Sequence, residues 1–151
     1  MKRFWIAGAA LGLFLAASSL IAQASGPYQF YGITPCRVVD TRSTNPPPLT
    51  AATQRDFLII GAGSCGIPST AKAASFNTTM ISPTVDGFLK IWPYGTTRPT
   101  TSNINATAGT SAIANMAVVL LTPGTYNISV VYGTAGGGTC DMAIDVTGYY
   151  Q

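Results

Sequence analysis

Residues 114–132 read Ala114-Asn115-Met116-Ala117-Val118-Val119-Leu120-Leu121-Thr122-Pro123-Gly124-Thr125-Tyr126-Asn127-Ile128-Ser129-Val130-Val131-Tyr132. Two β-favouring runs flank a Thr-Pro-Gly break. In the second, Tyr126, Ile128, Val130 and Tyr132 share one face, while Asn127 and Ser129 take the other until Val131 interrupts the alternation. A period of two is the signature of a half-buried strand. The first run is continuously apolar from Met116 to Leu121, which predicts a central strand covered on both faces. Leu121 to Gly124 then reads as the turn joining the two.

The same grammar extends in both directions. Met142, Ile144 and Val146 alternate with Asp141, Ala143, Asp145 and Thr147, so Asp145 is expected to point away from the core. Pro83-Thr84-Val85-Asp86-Gly87 supplies an Asp-Gly hairpin signal between Thr78–Ser82 and Phe88–Trp92. Further strands are predicted over Pro35–Asp40, Arg55–Ile60, Ala73–Ser82 and Asp141–Tyr149, with weaker extended pieces at Tyr28–Tyr31 and Thr101–Asn105. Ser43-Thr44-Asn45-Pro46-Pro47-Pro48 is excluded from a sheet interior and reads as an exposed loop. Ten prolines and sixteen glycines leave little room for helices. The expected fold is all-β: one antiparallel sandwich, jelly-roll or immunoglobulin-like, over residues 25–151.

Residues 1–24 carry a different signal. Met1-Lys2-Arg3 is a short basic start, Phe4 to Ala17 is apolar or glycine, and Ala22-Gln23-Ala24 offers small residues at a cleavage site. This predicts a secretory leader cleaved after Ala24, and hence a secreted or surface-exposed protein with no membrane attachment once the leader is removed. Without Lys2 and Arg3, six basic and five acidic residues remain, and the bases are scattered. No patch for nucleic acid results.

The chain contains neither histidine nor glutamate; all five acids are aspartates. Imidazole-dependent nucleophile activation and histidine-based zinc sites are therefore excluded. Three cysteines allow three pairings. Cys36 with Cys65 is favoured, closing a loop of about 30 residues, which leaves Cys140 either buried or bonded to another subunit. No metal template is matched. Asp86, Asp141 and Asp145 do not form a calcium loop, and no cofactor is expected.

Five strings occur in order: Thr34-Pro35-Cys36-Arg37-Val38-Val39-Asp40-Thr41-Arg42, Cys65-Gly66-Ile67-Pro68, Asn77-Thr78-Thr79, Gly87-Phe88-Leu89 and Asp145-Val146-Thr147-Gly148-Tyr149-Tyr150. Together they resemble a β-rich module of exported bacterial proteins, found singly, in tandem or appended to extracellular enzymes. The resemblance implies an accessory or surface domain and carries no catalytic residues with it.

Two places are the candidate binding residues. Asp40 and Arg42 could hold a polar ligand, although a turn cap, with Arg37 or Arg42 paired to Asp145, explains them structurally. Trp92 and Tyr94, beside Pro93 and Gly95, could stack on a sugar. An Asp40/Asp145 acid pair is the remaining enzymatic option, ranked below both. Sequons at Asn77, Asn105 and Asn127 are read as coincidental. Low net charge, terminal strands with open edges and an unmatched cysteine permit copies to associate, and the expected protein is a non-enzymatic structural one. Its expected partner is a second copy, as in an oligomer, filament or layer, with a glycan or cell-wall ligand as the alternative.

Overall fold

The computed structural model describes residues 26–151, so the leader expected over residues 1–24 lies outside the described residues. Nine strands follow one another: β1 (Phe30–Asp40), β2 (Leu49–Thr50), β3 (Gln54–Phe57), β4 (Ala73–Ile81), β5 (Gly87–Pro93), β6 (Ile104–Ala106), β7 (Ala112–Leu120), β8 (Ile128–Thr134) and β9 (Thr139–Tyr150). They build an all-β sandwich of two antiparallel sheets. One has the order β1-β9-β4-β7, with β2 also pairing with β9; the other is β3-β8-β5-β6. From β2 onward every connection except β5–β6 crosses between the sheets, which makes the sandwich a jelly roll.

That topology corrects the two expected hairpins. β4 and β5 belong to different sheets, so Pro83–Gly87 is a crossing rather than a hairpin turn. The left-handed residue of this connection is Ser82 at φ 46°, not Gly87. Asp86 instead accepts a hydrogen bond from the Ala108 N–H at 2.8 Å. Leu121–Gly124 likewise carries the chain from β7 in one sheet to β8 in the other. Turn chemistry reports that the chain reverses, but which strand it then pairs with is decided by the core it must help cover.

The inward faces read in the last two strands are present, but β8 is not half-buried as expected: Ser129 and Val131 on its other face are buried as well. Ile128, Val130 and Tyr132 of β8 and Met142, Ile144 and Val146 of β9 are all fully buried between the sheets, with Val39, Leu49, Phe76, Met80 and Leu89. Each large apolar side chain buried this way stabilises by roughly 1.5–3 kcal/mol before entropy is subtracted. The Tyr132 hydroxyl, carried into that core, donates to the Val85 carbonyl, so no unpaired polar group accompanies the ring. Tyr126 lies outside β8 and is exposed, because the chain straightens only from Ile128.

Asn127, at the entry to β8, is completely buried. Its side-chain oxygen accepts from the Ile59 and Ile60 N–H groups at 2.6 and 2.7 Å, and its amide nitrogen donates to the Thr122 carbonyl at 2.8 Å. One side chain thus satisfies the backbone of two loops that the sheets leave unpaired.

Candidate assembly surface

The expectation for Met116–Leu121 is overturned by its position. All of the run but Leu121 belongs to β7, the terminal strand of its sheet, whose one strand neighbour among the described residues is β4. Apolar continuity does not distinguish a strand covered on both faces from one whose outer face is left open. Odd-numbered β7 residues face the other sheet, ending in buried Val119. Even-numbered ones face outward, and Met116, Val118 and Leu120 are 65%, 57% and 48% exposed.

The backbone follows the same parity. Leu121 N donates to the Lys72 carbonyl at 2.8 Å, so the odd residues of this ladder direct their amides and carbonyls towards β4. Ala112, Ala114, Met116, Val118 and Leu120 therefore direct theirs away from it. Of these, Met116 N is occupied by its neighbour's side chain, the Asn115 Oδ1, at 3.0 Å. The nine-residue register with β4 runs from Ala73↔Leu120 to Ile81↔Ala112 without a break.

The other three sheet edges are protected in ways β7 is not. β1 has register shifts at Gly32/Cys36 and at Arg37/Val39 and contains Pro35. β3 is four residues long and carries Arg55 and Asp56; β6 is three residues long. Bulges, proline, charge and shortness are the usual protection of edge strands against pairing with another chain. β7 has no proline, no charge and no bulge.

On the same outer face, at the β1 side, Phe30 stands over Gly148, with its ring centroid 5.0 Å from that of Tyr150. Further along β1 and β9 from Phe30 lies an ion-pair knot. Arg37 donates through Nε and Nη2 to Asp145 at 2.8 and 3.0 Å and through Nη1 to Asp40 at 3.1 Å. Arg42 donates to both oxygens of Asp40 from Nε and Nη2, and its backbone N–H caps Asp40 Oδ1. The hydrogen bond from Arg42 holds the Asp40 carboxyl down at about 2. Asp40 and Arg42 are thus each other's partners in a turn, and Arg37 separates Asp40 from Asp145. A carboxyl with that pKa carries no proton at neutral pH, so Asp40 is not poised as a general acid.

Trp92 is 3% exposed, on a face where Lys90 Nζ ties the β5–β6 loop down through the Pro99 and Thr100 carbonyls. Its indole offers no face to a sugar, which corrects its place among the binding residues. Tyr94 is half-buried and pairs edge-on with exposed Tyr126 at 5.5 Å. A shallow cleft of about 550 Å³ opens where β5, β6 and β7 meet, lined by Asp86, Phe88, Asn105, Ala106, Thr110 and Ile113.

Cys36 and Cys65 form a disulfide with Cα atoms 5.5 Å apart. Cys140 is a free thiol, buried, and burial pushes its pKa up to about 12. Asp86, Asp141 and Asp145 bond separately to Ala108, Thr41 and Arg37, and among the described residues no group of three His, Cys, Asp or Glu side chains is placed to hold a metal. Also among the described residues, no helix is long and apolar enough to cross a membrane.

No family model matches the chain, and no curated protein or solved structure matches it significantly.

Proposed function

We propose that the chain is an exported, non-enzymatic structural protein of the bacterial surface whose copies associate with one another. The observation that carries this reading is the β7 edge: nine regular, uncharged residues with outward amides and an exposed apolar stripe. A soluble domain that kept such an edge permanently open would invite indiscriminate strand pairing, so a dedicated partner is its simplest reason. The Cys36–Cys65 disulfide fits an oxidising compartment outside the cytosol.

Sedimentation of the exported, purified full chain over a wide concentration range tests the reading. Reversible association is expected, and Val118→Lys should abolish it while leaving the thermal midpoint almost unchanged. A protein that stays monomeric at millimolar concentration would overturn the proposal.

A cell-wall or glycan-binding reading retains one observation in its favour, the edge-on pair of Tyr94 and Tyr126 at the sandwich end. Peptidoglycan pull-down that is lost in Tyr126→Ala is its test.

A further inference from the structure

We infer that the partner of β7 is β7 of a second copy, joined antiparallel about a two-fold axis through Met116. This rests on the self-association just proposed and specifies its geometry. An edge strand's complement is another strand, because only a strand matches its row of alternating donors and acceptors.

The sequence of β7 is suited to meeting itself. With Met116 opposite Met116 of the second copy, Val118 falls opposite Ala114 and Leu120 opposite Ala112. Every outward-directed amide in the strand then finds a carbonyl. On the outer face Val118 and Leu120 each lie beside an alanine and Met116 meets its own copy, so the apolar stripe continues across the joint. On the inner side Val119 meets Ile113 and Ala117 meets Asn115. The strand has no charge, so no like-charged pair is created at any position. In the isolated chain the Asn115 side chain occupies Met116 N, at the centre of the edge. Forming the joint requires that amide to swing away, which makes Asn115 a local stopper against casual pairing.

The register makes a sharp demand on crosslinking. Directly opposed residues of a hydrogen-bonded antiparallel pair have Cα atoms about 5.5 Å apart, within disulfide reach, whereas residues displaced along the strand do not. Met116→Cys in the full chain, under mild oxidation, is expected to form a disulfide-linked dimer on the order of tenfold faster than Val118→Cys. The double variant Ala114→Cys with Val118→Cys should crosslink as readily as Met116→Cys. Asn115→Ala, which frees Met116 N, should strengthen association in sedimentation. Buried Cys140 does not compete.

Association without preference for Met116 over Val118 would overturn this joint yet leave self-association standing. A strictly monomeric wild type, with Met116→Cys no faster than Val118→Cys, would remove both. Capture of an unrelated strand on β7 by a protein that does not pair with itself would also overturn the two-fold joint.

Discussion

At the scale of single residues, the string from Arg37 to Arg42 joins β1 to β9. Asp40 is 5% exposed and satisfied by two guanidinium groups, and Thr41 accepts from Met142 N while donating to Asp141. Because the folded Asp40 carboxyl, at about 2, titrates below its ordinary value, its pairing stabilises the fold above the unfolded pKa and is withdrawn as pH falls through the folded one. Solvent screening of the half-exposed arginines limits this to about 1–2 kcal/mol. Thermal melts at about pH 5 and about pH 2 should therefore show a larger loss in wild type than in Asp40→Asn, which has already lost the pairing. Cys140 gives a second expectation. Buried and with its pKa raised to about 12, it should resist a thiol reagent in the native protein and react fully once denaturant is added. Rapid native labelling would show that β9 opens at its start.

At the scale of elements, what was legible followed from side-chain period. The alternations at Ile128–Tyr132 and Met142–Val146 identify the two core faces, and Asp145 points outward to Arg37 as expected. Strand partners were not legible. The Asp86-Gly87 pair marks a reversal equally well whether the chain returns to its own sheet or crosses to the other. The run at Met116 would have the same composition in the middle of a sheet. Trp92 resembled a loop aromatic because Pro93 and Gly95 follow it, yet β5 extends to Pro93 and buries the ring. β2 escaped notice, being only Leu49 and Thr50 at the end of the proline segment. Nor did sequence separate Asn127 from an ordinary polar face residue. Replacing it with alanine orphans the Ile59 and Ile60 amides and should cost about 2–4 kcal/mol in denaturant titration. A loss within a few tenths of a kcal/mol would mean those loops find other partners.

At the scale of the whole molecule, the two sheets meet through a single core, and the Cys36–Cys65 link ties the β1 edge to the long segment before β4. Their separation of 29 residues implies that reduction removes about 3–4 kcal/mol through the unfolded chain's regained freedom. Unfolding in the presence and absence of reductant measures it directly, and an unchanged midpoint would mean the fold does not depend on the link. The asymmetry between protected and unprotected edges matters more for what the molecule builds. A joint that satisfies its own rotation consumes both sticky sides at once, giving each subunit a valency of one and stopping growth at a pair. Extended material would therefore need a second bond of different character, and Phe30, 49% exposed on the opposite edge strand, is a large apolar side chain open to it. Such a unit would grow as linked doublets, with two unlike contacts alternating along its length.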